Sequence, residues 1–478
     1  MQAAGNFIAG EWLDATNGAP DVNPSNTQDV VGVFARADLA EAERAIHAAR
    51  DAFPAWARSS IQERHDALKR IGDEILARKE ELGRLLAREE GKTAAEGIGE
   101  AGRAGQIFLY FAAECVRLAG EKLSSVRPNI DVEITREPLG VIGIITPWNF
   151  PIALPAWKIA PALAYGNCVV FKPADLVPGT AHALAQIIAR AGLPRGVFNL
   201  VMGRGSVVGE QLLQHPGIAA ISFTGSVATG QKIAAACVAR MKKFQLEMGG
   251  KNPLVVLDDA DLGIAVDCAI NGAFFSTGQR CTASSRLIVT EGIHDRFLEA
   301  MVARMKALVV DDALKPGTQI GPAVDQSQLD QDLSYIEIGQ REGAELHYGG
   351  ERLERAAPGF YLAPALFTGV RNDMRIAREE IFGPVAAVIK VKDYDAALAT
   401  ANDTPFGLAS GICTTSLRHA SHFKRNAEAG MVMVNLPTAG VDYHVPFGGR
   451  KGSSYGPREQ GRYAAEFFTT VKTAYTSP

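Results

Sequence analysis

This chain lacks long apolar segments, blocks of like charge and closely spaced cysteine pairs. Its most apolar stretch, Leu139 to Trp157, is interrupted by Pro147, Pro151 and Pro155 and contains Asn149, so we do not expect it to span a membrane. The formal net charge is only -4, without charged clusters. The sequence therefore gives no reason to expect a nucleic acid or an acidic membrane as partner.

Cysteine is scarce and dispersed, without any C-x-x-C pair. This argues against a disulfide framework and against a metal site of the zinc type, and it predicts a protein of the reducing cytoplasm. The segment Met1 to Gly5 has no basic region followed by an apolar core, so we expect no signal peptide. The six cysteines are Cys115, Cys168, Cys237, Cys268, Cys281 and Cys413.

The 478 residues are too many for one core, and two or three domains are expected. Asn6 to Asp14 predicts a hairpin, and the spacing of apolar residues from Asp38 to about Gly120 predicts helices. Between Val141 and Glu247, five short apolar runs alternate with helical segments, which predicts a parallel sheet with helices on both faces. A second alternating region follows, from Leu254 to Asn402.

Ligands of parallel sheets bind at the carboxyl ends of the strands. In the first region, the residues predicted at those ends are mostly polar, whereas the strands are apolar. They are Trp148, Asn149, Lys172, Asp175, Thr224, Gly225, Ser226 and Glu247.

The turn Gly278 to Thr282 places Cys281 between an apolar segment and a predicted strand. A nucleophilic cysteine works as its thiolate, which is a minor species at pH 7 when the pKa is about 8.5. Arg280 is a candidate for the positive charge that would favour the thiolate. The alternative is that Cys281 is only a small buried apolar residue.

Three further residues have chemistry that suits a catalytic or cofactor site. Ser226, at a strand-to-helix junction, can hold a pyrophosphate or only close a tight turn. Glu247 can be a base with a raised pKa, or the partner of Lys251. Asn149 can donate half of an oxyanion hole, or be a turn residue.

Two further pairs have similar alternatives. Lys172 and Asp175 can hold a ribose, because a carboxylate binds the 2'-hydroxyl and repels a 2'-phosphate, or they can be a surface pair. Glu380 and Phe382 lie in the motif E-I-F-G-P, where Glu379 and Glu380 can equally be a charge pair at a helix end and Phe382 a core residue.

Together, the motifs resemble the NAD(P)-dependent aldehyde dehydrogenase superfamily over essentially the whole chain. In order they are P-W-N-F-P, K-P-A, F-T-G-S, L-E-x-G-G-K, G-Q-x-C, E-x-F-G-P and P-F-G-G. The resemblance implies an α/β fold with a Rossmann-like NAD-binding domain (residues 1–121 and 139–248), an α/β catalytic domain (249–445) and a small β oligomerisation arm (122–138 and 446–478). It also implies a homodimer or homotetramer.

The resemblance assigns a role to each matched residue. Cys281 is expected to be the nucleophile, Asn149 an oxyanion donor and Glu247 the base for thioester hydrolysis. The cofactor is expected to be NAD, with NADP as a weaker possibility because Asp175 is one methylene shorter than the usual glutamate. The expected cofactor residues are Trp148, Lys172, Asp175, Gly225, Ser226, Glu380 and Phe382.

The substrate is expected to be a small acidic aldehyde. The segments from Gly440 to Gly449 and from Ser453 to Gly461 resemble those of bacterial α-ketoglutarate semialdehyde (2,5-dioxovalerate) dehydrogenases. Succinate and glutarate semialdehydes are the alternatives. A carboxylate substrate needs a cation, and Arg280 is the candidate, although it can equally point into the core.

Two alternatives with a different kind of function stay open at this point. A non-catalytic relative can keep the fold, but it has no need of Cys281, Glu247 and Asn149 together. A member that passes its acyl group to coenzyme A can dispense with Glu247. The intact set favours a hydrolytic dehydrogenase.

Overall fold

The computed structural model describes residues 3–15 and 17–477. The expected N-terminal hairpin is confirmed, with Phe7 opposite Trp12. The first strands are β1 (Phe7–Ile8), β2 (Glu11–Trp12), β3 (Gly18–Val22) and β4 (Val30–Ala35). Helices α1 (Leu39–Trp56), α2 (Ile61–Ala77), α3 (Lys79–Glu90) and α4 (Ala94–Cys115) follow, and then strands β5 (Glu121–Ser124) and β6 (Asp131–Pro138).

The predicted alternation of strands and helices is confirmed in the next region. One of the helical segments begins with a single π-helical turn, Gly205–Gly209. The elements are β7 (Val141–Ile145), α5 (Ala153–Ala164), β8 (Cys168–Lys172), α6 (Pro178–Arg190), β9 (Phe198–Leu200), α7 (Glu210–Gln214), β10 (Ala220–Thr224), α8 (Val227–Val238) and β11 (Lys243–Glu247).

The second alternating region is also confirmed and contains more strands than were predicted. Its elements are β12 (Pro253–Val256), α9 (Leu262–Phe274), β13 (Arg286–Thr290), α10 (Glu291–Lys306), α11 (Gln326–Arg341), β14 (Glu345–Tyr348), β15 (Ala365–Thr368), α12 (Arg375–Arg378), β16 (Val385–Val391), α13 (Tyr394–Asn402), β17 (Ala409–Cys413), α14 (Leu417–Asn426) and β18 (Met431–Val434). The chain then forms β19 (Ser454–Tyr455), α15 (Ala465–Phe468) and β20 (Thr469–Thr476).

The first large sheet has the strand order β19-β11-β10-β7-β8-β9-β1-β2. Strands β11, β10, β7, β8 and β9 are parallel, with Thr224 opposite Glu247 and Ile145 opposite Lys172. Their carboxyl ends therefore lie along one edge, as predicted. Every residue of β8 and β10 is buried, as expected for parallel strands that are covered on both faces. The predicted α/β class is confirmed.

The second large sheet has the order β14-β15-β16-β13-β12-β17-β18, and a three-stranded antiparallel sheet has the order β20-β6-β5. Strand β19 pairs with β11 in the first sheet, so the range 446–478 contributes to two sheets. The domain boundaries stay a prediction. None of the helices in the described ranges combines the length and apolar character that a membrane span requires.

Helices α3 and α4 contact each other backbone to backbone through glycine. A Cβ atom added at Gly97 would overlap the carbonyl oxygen of Gly83, and one added at Gly83 would overlap the backbone of Ile98. Gly102 lies on the same helix as Gly97, but a Cβ atom there would have nothing within 4 Å. The close contact therefore requires glycine at position 97 and not at position 102.

We predict that Gly97→Ala destabilises the fold by about 1–3 kcal/mol, because the added methyl group forces the two helices apart. Gly102→Ala is the matched control and should stabilise the helix by up to about 1 kcal/mol, because alanine is the better helix former. Urea unfolding of both variants beside the wild type measures the difference. Equal midpoints for the two variants would contradict the contact.

Candidate active site

The turn that carries the cysteine has a strained backbone. After α9, Ser276 and Thr277 both adopt left-handed conformations, with φ of 51° and 56°, which is uncommon for residues other than glycine. Glu96 on α4 stabilises this turn, because its Oε1 accepts from the Ser276 backbone N–H at 2.8 Å and from the Ser276 hydroxyl at 3.0 Å. A carboxylate from another helix thus fixes the segment that leads to Cys281.

Cys281 lies in the wall between two cavities that have only Leu154 and Cys281 as common lining residues. The larger cavity has a volume of about 350 Å³ and is mainly apolar, with two arginines, Arg103 and Arg280, in its wall. The smaller cavity has a volume of about 220 Å³. Besides Cys281, six of the predicted catalytic and cofactor residues line it: Trp148, Asn149, Gly225, Ser226, Glu380 and Phe382.

The surroundings of the Cys281 thiol favour its neutral form. Burial raises its pKa to about 12, and the carboxylates of Glu380 and Glu247 act in the same direction. The backbone N–H groups of Cys281 and Thr282 oppose this shift. Arg280 was expected to supply a positive charge that favours the thiolate. Burial and the two nearby acids outweigh any such effect, because together they raise the pKa of Cys281.

Arg280 is tied to the helix that precedes the cysteine. Its Nη2 donates to the carbonyl oxygens of Asn271 and, at 3.4 Å, of Gly272, near the C-terminus of α9. Terminal helix carbonyls lack intrahelical partners, and a cation is favourable there. Arg280 thus lines the larger cavity and also supports the end of a helix.

Asn149 is buried beside Cys281. Its Nδ2 donates to the backbone carbonyl of Gln279 at 3.0 Å, across the contact between the P-W-N-F-P loop and the cysteine turn. A side-chain amide has two N–H bonds, so one remains to serve an oxyanion. The smaller cavity is the space that this donor can reach.

A buried lysine holds the loop of Asn149 in place. Lys92 Nζ donates to the Asn149 carbonyl oxygen at 2.6 Å and to Glu100 Oε2 at 2.7 Å. Glu100 Oε1 accepts from the backbone N–H groups of Ile152 and Ala153, both at 3.1 Å, where α5 begins. The ion pair therefore links α4, the P-W-N-F-P loop and the first turn of α5.

Glu247 is buried at the carboxyl end of β11. Burial and the Glu459 carboxylate raise its pKa well above the ordinary value, while the Ser454 hydroxyl donates to Oε2 at 2.5 Å and acts in the opposite direction. The alternative pairing with Lys251 is not present, because Lys251 Nζ has no hydrogen-bond partner among the described residues. The pKa of Lys251 is lowered to about 7, first by its burial.

A second buried ion pair adjoins Glu247. Lys158 Nζ contacts Glu459 Oε1 and donates to the Ser222 hydroxyl at 3.0 Å. Burial raises the pKa of Glu459, although Lys158 opposes that shift. Glu247 thus has a second buried carboxyl group nearby that raises its pKa.

The predicted cofactor residues come from both large sheets, with Trp148 and Ser226 after strands of the first sheet and Glu380 and Phe382 just before β16 of the second. Ser226 caps the N-terminus of α8 and accepts from the Thr229 N–H at 3.3 Å. Glu380 accepts from the Gly250 N–H at 3.0 Å, and burial raises its pKa to about 7. The rings of Trp148 and Phe382 meet edge to face, with centroids 5.4 Å apart.

Lys172 and Asp175 lie at the end of β8, outside the residues that line the smaller cavity. Lys172 Nζ donates to Asp175 Oδ1 at 2.9 Å and to the Pro173 carbonyl oxygen at 2.7 Å. The structure therefore places this pair on the same sheet edge as Ser226 but not in the same cavity.

A separate cluster outside the cavities has the residue types of a metal site. Glu43 Oε1 lies 3.1 Å from His47 Nε2 and 3.0 Å from His215 Nε2. His215 Nδ1 accepts from the Gly217 N–H at 2.9 Å, so in neutral His215 the proton is on Nε2 and is donated to Glu43. This tautomer has no lone pair free for a metal, and the geometry favours a hydrogen-bonded cluster.

Sequence reasoning missed several charged and polar residues around Cys281 and Glu247. One signal was available for Glu96, because T-x-x-E at Thr93 is a capping box. Another was available for Lys158, a lysine within the apolar helix α5. The missed residues are Lys92, Glu96, Glu100, Arg103, Lys158, Ser454 and Glu459.

Comparison with known proteins agrees with this arrangement. The model of the "Aldehyde dehydrogenase family" matches residues 12–474. An α-ketoglutaric semialdehyde dehydrogenase of Bacillus subtilis is 46% identical over 99% of this chain and 98% of its own length. An α-ketoglutarate semialdehyde dehydrogenase of Haloferax volcanii is 43% identical, with the same coverage.

Solved structures agree as well. A betaine aldehyde dehydrogenase of Staphylococcus aureus in complex with NAD+ matches with a TM-score of 0.97 and 34% identity, over 100% of this chain and 98% of that one. An NAD-dependent aldehyde dehydrogenase of Sinorhizobium meliloti has the same TM-score at 37% identity, over 99% and 95% of the two chains. The fold implied by the motifs is thereby confirmed.

We predict that alkylation of Cys281 by iodoacetamide keeps accelerating up to pH 10. Only the thiolate reacts, and an ordinary thiol would level off near its pKa of about 8.5. Glu380→Gln should react faster than the wild type at each pH, because loss of a negative charge lowers the thiol pKa. Mass spectrometry of the labelled peptide measures both rates.

Cys281→Ser is the control and should abolish rapid labelling, because the other five cysteines are buried. A plateau below pH 8 in the wild type would show that the thiol is already activated in the free protein.

Proposed function

The chain belongs to the aldehyde dehydrogenase family, and on this basis we propose that it oxidises an acidic semialdehyde to a carboxylic acid with NAD. The proposed substrate is α-ketoglutarate semialdehyde, and the product is α-ketoglutarate. One observation carries the proposal: Cys281 lies in the wall shared by a cavity that contains arginines and a cavity that contains Ser226 and Glu380.

The names of the relatives support this substrate. The relatives from Bacillus subtilis and Haloferax volcanii are named for α-ketoglutarate semialdehyde, and one from Saccharolobus solfataricus is named for 2,5-dioxopentanoate. Other relatives are named betaine aldehyde dehydrogenases. Betaine aldehyde is a cation, and Arg103 and Arg280 in the wall of the larger cavity would repel it.

The proposed reaction assigns a step to each of three residues. Cys281 Sγ releases its proton to solvent and attacks the aldehyde carbon as the thiolate. The Asn149 amide with the Cys281 backbone N–H stabilises the oxyanion. When bound, NAD supplies the acceptor for the hydride. The acyl group then remains on Cys281 as a thioester, and Glu247 takes a proton from the water that hydrolyses it.

The raised pKa of Glu247 suits this role, because a more basic carboxylate is the stronger proton acceptor. The proton can then be passed toward Glu459, whose carboxyl group raises the pKa of Glu247 and contacts Lys158. Release of the acid leaves Cys281 ready for another substrate.

The residues of the smaller cavity fit NAD. The Thr224 hydroxyl is buried there without a partner in the described part of the chain. Gly249 also has no side chain where a Cβ atom would overlap the Glu380 carboxylate. We propose that Gly225 and Ser226 hold the pyrophosphate at the N-terminus of α8, and that Glu380 holds the nicotinamide ribose, beside Phe382 and Trp148.

Lys172 and Asp175 are proposed to hold the adenosine ribose. A carboxylate accepts from the 2'-hydroxyl of NAD and repels the 2'-phosphate of NADP. The shorter reach of Asp175 leaves NADP as a weaker cofactor. We propose NAD as the preferred one.

The three-stranded sheet supports a proposal on assembly. Its strands expose apolar side chains, with Leu123 47%, Val471 56% and Tyr475 62% exposed. A second copy of the chain would bury such side chains, and we propose that residues 122–138 and 446–478 form the arm of a homodimer or homotetramer.

The scattered cysteines support a cytoplasmic location.

The alternatives differ in specific features. Succinate and glutarate semialdehydes share the terminal carboxylate and differ from the proposed substrate in length or in the keto group. A non-catalytic relative would not need the Cys281, Asn149 and Glu247 set. Transfer of the acyl group to coenzyme A would leave the buried Glu247 without a role.

We predict that Glu247→Gln forms a thioester that hydrolyses slowly. Acylation requires Cys281, whereas hydrolysis requires a base for water. Rapid-quench kinetics should show a burst of NADH close to one equivalent per site, followed by turnover about 100-fold slower than in the wild type. Cys281→Ala is the control and should show neither burst nor turnover. Uniform slowing without a burst would contradict the hydrolytic role.

A panel of aldehydes tests the substrate class. The values of kcat/KM for α-ketoglutarate, glutarate and succinate semialdehydes should exceed that for butanal by about 10- to 100-fold, because a hydrogen bond to a charged group contributes about 1.5–3 kcal/mol. Betaine aldehyde should be the poorest substrate. Acceleration by coenzyme A would indicate acyl transfer, and preference for butanal would refute the acidic substrate.

A further inference from the structure

We propose that Arg103, on helix α4, binds the far-end carboxylate of the substrate and determines the preference for acidic aldehydes. The inference rests on the proposed function and names a residue that the motifs do not include. Arg103 and Cys281 line the same cavity of about 350 Å³. An arginine is suited to this task because its planar guanidinium binds a carboxylate through two parallel hydrogen bonds.

Among the described residues, the guanidinium of Arg103 forms no direct ion pair, although the Glu100 carboxylate acts on it electrostatically. None of the ion pairs in residues 3–15 and 17–477 includes it, and its buried Nε has no hydrogen-bond partner there. Its Nη2 donates to Gln460 Oε1 at a long 3.3 Å, and its Cζ lies 5.7 Å from the Trp157 ring centroid. A poorly solvated cation without a direct ion-pair partner is unfavourable, so a ligand carboxylate gains by binding there.

The acidic residues of the cavity are already occupied by other donors. Glu96 accepts from the Ser276 backbone and hydroxyl, and also from the Thr93 N–H at 3.0 Å. Glu100 accepts from Lys92 and from the start of α5. Asp442 is exposed near Arg103 and acts on it electrostatically, but water screens an exposed charge. With the charge of Glu100 balanced by Lys92, Arg103 and Arg280 face the single remaining lining carboxylate of Glu96, which leaves an excess of positive charge.

Arg280 is less free to bind the substrate. Its Nε also lacks a hydrogen-bond partner in the described part of the chain, but its Nη2 is engaged with the Asn271 and Gly272 carbonyl oxygens, and it adjoins the nucleophile in sequence. Its removal would disturb the end of α9 and the cysteine turn together. Arg103 supports no comparable backbone element, so Arg103 is the principal anchor and Arg280 adds to the positive potential.

The experiment compares Arg103→Gln, Arg103→Lys and wild type on glutarate semialdehyde and butanal. Arg103→Gln should lower kcat/KM for glutarate semialdehyde by about 10- to 100-fold, mainly because KM rises. The same substitution should lower kcat/KM for butanal by less than about threefold. Arg103→Lys should restore part of the loss, because it keeps the charge but not the paired geometry. Arg117→Gln is the matched control, since Arg117 lies just beyond α4, is exposed and pairs with Glu114 at 3.2 Å.

A binding measurement without turnover complements the kinetics. Glutarate, which has no aldehyde group, should bind in the cavity and slow alkylation of Cys281 in the wild type and in Arg117→Gln. In Arg103→Gln, the glutarate concentration that gives half of the maximal slowing should be about tenfold higher. This readout remains usable when a variant is catalytically slow. Circular dichroism of each variant verifies that it is folded, and Arg103→Lys serves for both assays when Arg103→Gln does not fold.

The outcomes separate this proposal from the proposed function. A wild type that does not favour glutarate semialdehyde over butanal overturns both. A wild type that favours the acid, together with an Arg103→Gln variant that keeps the same preference, overturns only the role of Arg103. Equal losses on both aldehydes show a structural role and likewise overturn it. Selective loss with partial rescue by lysine supports it.

Discussion

The ion pair between Lys92 and Glu100 is the interaction on which the rest of the site depends. Buried charges are tolerated only when their hydrogen bonds are well formed, and here the two side chains meet the carbonyl of Asn149 and the start of α5. Helix α4 also carries Glu96, which supports the cysteine turn, and Arg103, which faces the larger cavity. One helix therefore sets the relative positions of Cys281, Asn149 and the larger cavity.

The sequence predicted which polar residues lie at the ends of the strands, but it did not predict which helix face lines the site. Strands such as β8 and β10 are buried throughout, so their apolar runs stand out, and parallel pairing brings Lys172, Thr224 and Glu247 to one edge. On α4, Glu96, Glu100 and Arg103 recur at helical spacing, which is equally typical of a solvated face. Only the packing of α4 against α5 and the cysteine turn makes that face line a cavity.

The position of Arg280 next to Cys281 in the sequence also led to a wrong expectation about activation of the thiol. Arg280 precedes Cys281, yet its guanidinium contacts carbonyl oxygens at the end of α9. Glu247 and Glu380, which are distant in sequence, act on the thiol instead. The direction of a side chain depends on unsatisfied backbone groups nearby, here the terminal carbonyls of a helix, and no motif records where those groups lie.

The separation of the two cavities has a consequence for the order of events during turnover. Because their linings share only Leu154 and Cys281, an acyl group held on the sulfur would occupy one side and leave the other side accessible. A spent dinucleotide would then depart without waiting for the acid, and a fresh one would arrive while the acyl group is still attached. Exchange of the dinucleotide through the smaller cavity would then be independent of the exchange of substrate and acid through the larger one.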